Sequence, residues 1–272
     1  MAQPFQKLRE QLEEWKLKLP GRWGVWIEDL TTRDSWEWNG DHSFYAASVI
    51  KVPIMVAVFR EAWKGRFALS DEMTLTPEAQ VGGAGVLQHL TPGLKVSIRD
   101  LTTLMIIQSD NTATNLLIEL VGKDAIHEAM TELNMNGSRF YNPLMILPAD
   151  REGVNTITPR DLASCYRKIA KGEAVSYHAS LQMINILKKQ QIRDCFPSLL
   201  PQTDPDIIGS IPAWELAHKT GTVTRVLHDT GILYTGSHAV IMVALSEDCS
   251  YREAKEQLAQ LAFRVYQAYR QQ

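Results

Sequence analysis

The 272-residue sequence predicts an α/β protein in which a discontinuous sheet domain, built from both ends of the chain, holds an inserted all-helical domain. Three observations predict it. Strand-like segments cluster near both ends, amphipathic helices flank them at both termini, and the pattern between them is mostly helical. On this reading residues 1–45 and 205–272 form the sheet domain, and residues 46–204 form the helical domain.

Phe5, Leu8, Leu12, Trp15 and Leu19 recur at intervals of three and four, which places them on one face of a helix that Pro20-Gly21 ends. Trp23 to Glu28 and Ser35 to Trp38 read as two strands around the polar turn Thr31-Thr32-Arg33-Asp34. In the middle, Ser97 with Asp100 three residues on is a helix cap ahead of Leu101, Leu104, Met105 and Ile107. Gly122 closes the helix containing Leu116, Leu117 and Leu120. Thr158-Pro159-Arg160-Asp161 starts another helix, with Thr as cap, Pro in the first turn and Asp at the third position.

Toward the C-terminus Ala217 to Val223, Thr230 to Tyr234 and Ala239 to Leu245 read as a meander, its last two strands joined through Gly236-Ser237, where Gly suits a type II′ turn. Leu258, Leu261, Ala262, Val265 and Tyr269 give a final amphipathic helix. Residues 139–156 show neither period and are punctuated by Asn142-Pro143, Pro148 and Gly153. Loops of that length inside a compact domain are often functional, so this one is expected to border a site.

A net charge of −3 and the lack of a long Lys/Arg run give no pull toward nucleic acid or an anionic membrane, which leaves a small molecule as the expected partner. Residues 1–20 carry scattered charges and no apolar core of a signal peptide, and no apolar run approaches a membrane span. On this sequence the chain is expected to be cytoplasmic, or periplasmic or secreted if a leader was trimmed. Cys165, Cys195 and Cys249 are widely spaced and expected to be reduced, and the seven His form no close ligand pair, so neither metal nor cofactor is expected. Oligomeric state is left open.

Chemistry enters with three polar clusters in order: Ser48-Val49-Ile50-Lys51, Ser109-Asp110-Asn111 and Lys219-Thr220-Gly221. A Lys three residues after a Ser shares its helix face, and the apolar neighbours Ala46, Ala47, Val49 and Ile50 favour the neutral amine a general base needs. Ser109, at a junction between helices, is suited to relay a proton to a leaving nitrogen, with Asn111 holding Lys51 and a substrate carbonyl. Lys219 and Thr220 suit a substrate carboxylate, and Gly221 lets a substrate approach the strand. The backbone N–H groups of Ser48 and Thr222 are a candidate oxyanion hole, and Arg225 is a further candidate for the carboxylate. Each cluster alone also fits an ordinary cap, corner or strand; three in this order do not.

With these clusters placed, the chain resembles the class A β-lactamase-like serine hydrolases over nearly its whole length. Phe44 to Lys51 is similar to the segment carrying that family's nucleophile, and Ser109 to Leu117 to its second motif and following helix, about 60 residues on. The resemblance implies the family's two-domain fold, with Ser48 opening a buried helix at the domain boundary. It also exposes a departure. Where the family's loop carries a Glu-Pro whose carboxylate activates the deacylating water, this sequence has Asn142-Pro143, and an amide accepts no proton at neutral pH. Asp150 and Glu152 are read as solvated loop charges. The expected function is a serine hydrolase acylated on Ser48 by a β-lactam or related amide or ester, with slow deacylation. Two alternatives stay open: a penicillin-binding D-Ala-D-Ala peptidase-like enzyme, and a binding module in which stable acylation or non-covalent binding is the output.

Overall fold

A computed structural model describes residues 4–144, 153–201 and 212–270. Helix α1 (Pro4–Lys16) leads into β1 (Arg22–Asp29) and β2 (Ser35–Trp38), then β3 (Phe44–Tyr45) and a 3₁₀ turn over Ala47–Ile50 that runs into α2 (Lys51–Trp63). The small strands β4 (Glu72–Thr74) and β5 (Lys95–Ser97) precede α3 (Ile98–Ile107), α4 (Asn111–Val121) and α5 (Lys123–Glu132). After β6 (Thr156–Ile157) come α6 (Pro159–Ala170) and α7 (Tyr177–Lys188), then β7 (Trp214–Val223), β8 (Val226–Thr235), β9 (His238–Glu247) and α8 (Tyr251–Tyr269).

The main sheet is antiparallel throughout, in the order β2-β1-β9-β8-β7. Both ends of the chain therefore supply it, as expected. Both its faces are covered, and alternation along β9 shows how: Ile241, Val243 and Leu245 enter one core, Val240, Met242 and Ala244 the other. The second core holds α1 and α8. Phe5, Leu8, Leu12 and Trp15 of α1 are buried there, each worth on the order of 1.5–3 kcal/mol of burial. Trp15 Nε1 also donates to Gln257 Oε1 at 2.8 Å, linking the two terminal helices.

The first core is the helical side, and α2 is its axis. Residues Lys51 to Glu61 are all buried, so the helix is enclosed on every face, as a nearly uniform apolar sequence requires. Caps fix the surrounding helices where the sequence places them: Ser97 Oγ accepts from Asp100 N (3.0 Å) and Thr158 Oγ1 from Asp161 N (3.2 Å). Gly122 ends α4 at φ +83°. Gly236 has φ +55° while Ser237 is not left-handed, as a type II′ turn requires.

Strand β8 begins at Val226, four residues before the expected Thr230. The extra residues include His228 and Asp229, polar but fully buried, so the apolar pattern is broken where the strand is not. The expected boundary at 204/205 lies outside the described residues, as do Asp150 and Glu152. All three cysteines are free and buried. Among the described residues no helix is long and apolar enough to cross a membrane.

Candidate active site

Ser48 sits in the 3₁₀ turn, half-buried, its hydroxyl without a hydrogen-bond partner among the described residues. Ala47 before it is left-handed at φ +41°, a conformation costing a non-glycine residue roughly 1–3 kcal/mol and sustained only by its surroundings. Lys51 opens α2 and is fully buried. Its Nζ donates to Ser109 O (2.6 Å), Ser109 Oγ (3.1 Å) and Asn111 Oδ1 (2.9 Å). Burial pushes this ammonium well below its ordinary range, the nearby Lys219 charge adds to that, and Asp110 opposes it.

The Ser109-Asp110-Asn111 junction links α3 to α4 and is itself held in a non-helical shape. Ser109 adopts φ +54°, and Asp110 caps α4 by accepting from Ala113 N at 2.9 Å. The second Asp110 oxygen accepts from Val86 N (2.7 Å) and Leu87 N (2.8 Å). The loop passes so close that a Cβ on Gly85 would lie 2.4 Å from Asp110 Cα. Asn111 Nδ2 donates to Gly82 O (3.1 Å), which fixes the amide with its oxygen toward Lys51.

From the opposite side β7 delivers Lys219, also fully buried. Its Nζ donates to Ser109 Oγ (3.1 Å) and Thr220 O (2.7 Å), and burial pushes it down to about 7, partly opposed by Asp229. Two positions on, a Cβ on Gly221 would meet Ser48 N at 3.1 Å and Val49 N at 3.2 Å. The strand edge therefore lies against the serine turn because this residue has no side chain. Thr220 is buried and Thr222 exposed.

Ser48, Lys51, Ser109, Asn111, Lys219, Thr220 and Gly221 thus come together from residues up to 173 positions apart (221 − 48). Arg225 does not join them. It is exposed at the β7–β8 turn, and its guanidinium donates to Asp248 O at 2.9 Å. Binding a substrate carboxylate would require it to leave that partner.

Asn142 lies at the neck of the loop, where its Nδ2 donates to Gly153 O at 2.7 Å. Asn155 completes the clasp: its Oδ1 accepts from Tyr141 N (2.7 Å) and Asn142 N (3.0 Å), and its Nδ2 donates to Asn142 O (2.8 Å). Asn115 of α4 holds Leu144 by its backbone in both directions, at 2.8 Å each. Sequence reasoning missed Asp110, Asn115 and Asn155 as organisers of the site. An Asn within an apolar helical run, a poor helix former without another task, was the available signal for Asn115. Among the described residues no group of His, Cys, Asp or Glu side chains is arranged to hold a metal ion.

The family described as the beta-lactamase enzyme family matches residues 7–269. Beta-lactamase CARB-3 from Pseudomonas aeruginosa is 20% identical over 279 residues, covering 98% of this chain and 92% of the relative. A beta-lactamase structure from Sphaerobacter thermophilus is 30% identical with a TM-score of 0.87, covering 97% of each chain. PBP-A is 28% identical with a TM-score of 0.84, covering 98% of this chain and 97% of that one. A mutant of PBP-A has been solved as an acyl-enzyme complex with penicillin-G. This chain therefore belongs to the beta-lactamase enzyme family and is a class A β-lactamase-like serine hydrolase.

Proposed function

We propose that the protein is acylated on Ser48 by a β-lactam or a related amide or ester, and that the acyl-enzyme is released slowly. The observation that carries this reading is the convergence of Lys51 and Lys219 on Ser109 Oγ, with the Ser48 backbone lying against Gly221 of the strand that delivers Lys219. In the step proposed, Ser48 Oγ attacks the carbonyl carbon while its proton passes to neutral Lys51 Nζ. The C–N bond then breaks, the leaving nitrogen takes the Ser109 hydroxyl proton, and Lys51 restores it. The N–H groups of Ser48 and Thr222 receive the oxyanion, Asn111 the substrate carbonyl, and Lys219 with Thr220 the substrate carboxylate, while Gly221 leaves room along the strand. The same reading keeps 1–45 with 205–272 as one domain and 46–204 as the other.

Slow release rests on Asn142. Its amide donates to Gly153 O and has no basic lone pair to take a proton from water. The likeness to PBP-A favours a second reading on the same chemistry, in which a long-lived acyl-enzyme or the bound ligand is itself the output. Intact-mass measurement after adding a penicillin tests both. One penicilloyl adduct is expected, absent in Ser48→Ala. Rapid turnover without a trapped adduct would overturn slow release, and no adduct or turnover with any β-lactam or activated ester would overturn the acylation reading.

A further inference from the structure

The two residues before the strained Ala47 turn are held in an unusual way. Both backbone polar groups of Tyr45 are engaged by buried side chains of the sheet and not by backbone: Glu247 Oε1 accepts from Tyr45 N at 2.6 Å, and His228 Nε2 pairs with Tyr45 O at 2.8 Å. The tautomer follows from the other ring nitrogen. His228 Nδ1 accepts from Ser246 N at 3.1 Å, so Nε2 carries the hydrogen and donates to Tyr45 O. Burial pushes His228 down to about 4, which keeps this tautomer across the neutral range.

The same strap has three other anchors. Ala46 N donates to Asn155 O at 2.9 Å, and Phe44 packs so tightly on β1 that a Cβ on Gly24 would lie 2.4 Å from its ring. Arg22 pairs with the second Glu247 oxygen and stands 5.3 Å from the Phe44 ring centroid. His228 is also the register partner of Gly221, the residue whose missing side chain admits the Ser48 backbone. One residue is thus tied to both walls that locate Ser48, its side chain to Tyr45 and its backbone register to Gly221. A left-handed Ala47 persists only if its neighbours over-determine it, and these contacts are what is available to do so.

We infer that His228 and Glu247 are positioning residues for the Ser48 nucleophile, fixing Tyr45 so that the Ala47 turn presents Ser48 against Gly221. The inference rests on Ser48 being the acylated residue. Both side chains are engaged by the Tyr45 backbone and by Arg22 or Ser246, so as positioning residues their loss slows bond formation and leaves the preceding non-covalent binding unchanged.

The test compares wild type, His228→Leu, His228→Gln, Glu247→Ala and Ser48→Ala in stopped-flow acylation by a penicillin, separating the binding constant from the bond-forming rate. A fluorophosphonate that labels activated serines is run in parallel. We expect His228→Leu and Glu247→Ala to slow bond formation about tenfold or more with binding changed less than about twofold, and His228→Gln, which restores a donor to Tyr45 O, to recover part of the loss. If His228→Leu does not fold, Glu247→Ala decides. Wild-type rates in the folded variants, or loss of binding and rate in proportion, overturn the inference. Failure of wild type to react with penicillin while fluorophosphonate labels Ser48 overturns the substrate reading alone, and the variant ratios are then read from that label; no labelling by either reagent overturns both.

Discussion

Lys51 and Lys219 aim their side-chain nitrogens at one hydroxyl, each 3.1 Å from Ser109 Oγ, although they lie in different parts of the chain and both are fully buried. Two ammonium charges so placed repel each other, and burial already disfavours each. The arrangement therefore makes the pair give up a proton more readily than two ordinary lysines would, which is what a lysine base requires.

The first prediction follows from this repulsion. Lys219→Met removes a positive charge that holds Lys51 down, so the Lys51 ammonium becomes a weaker acid and the acid limb of the acylation profile moves to higher pH. Acylation rate constants measured from about pH 5 to about pH 9 read the shift directly. An acid limb that stays in place or moves down would show that Lys51 does not titrate as the base.

Stability carries the same signature. Burial holds Lys219 down to about 7 in the folded protein against ~10.4 when unfolded, so between those values the unfolded chain binds more protons and stability rises with pH. Below about 7 the folded protein bears the full cost of the buried charge. Urea midpoints are expected to rise from about pH 7 to about pH 9.5 in wild type and to rise less in Lys219→Met. Parallel curves for the two proteins would contradict the assignment.

Asp110 is expected to matter for two separable reasons. Asp110→Ala removes the α4 cap and strands the Val86 and Leu87 N–H groups, at a cost of about 2–4 kcal/mol by chemical denaturation. It also removes a negative charge that raises Lys51, so the acid limb should move to lower pH, opposite to Lys219→Met. Two variants that shift the same limb in opposite directions are hard to explain by loosened packing alone.

What the sequence made legible was local. The Ser97 and Thr158 caps and the Gly236-Ser237 turn each depend on residues within a few positions, and each lies where its chemistry indicates, whereas α1 ends at Lys16, short of Leu19 and of the expected Pro20-Gly21 stop. The three polar clusters were legible because their internal spacing is short. The links that convert them into a site were not: Lys219 reaches Ser109 across 110 positions, and His228 reaches Tyr45 across 183. The start of β8 was hidden for the same reason. His228 and Asp229 read as loop residues until their buried partners, Tyr45 O, His218 and Phe196 N, are known. Strands β3 and β6, two residues each, are too short for any alternation to appear.

The last prediction concerns Asn142. A Glu there supplies a carboxylate where this sequence has an amide, so Asn142→Glu should hasten loss of a penicilloyl adduct, followed by intact mass against time. The clasp adds a cost that the sequence did not indicate. Asn142 Nδ2 donates to Gly153 O, and a carboxylate in its place faces a carbonyl that it can only repel. The variant should therefore lose about 1–3 kcal/mol of stability, because the Gly153 carbonyl is left without its donor. Asn142→Ala separates the two effects, since it loses the same bond without gaining a base. Faster adduct loss in Asn142→Glu alone assigns the gain to general-base chemistry, equal acceleration in both assigns it to an opened loop neck, and an unchanged lifetime in both removes Asn142 from the deacylation path.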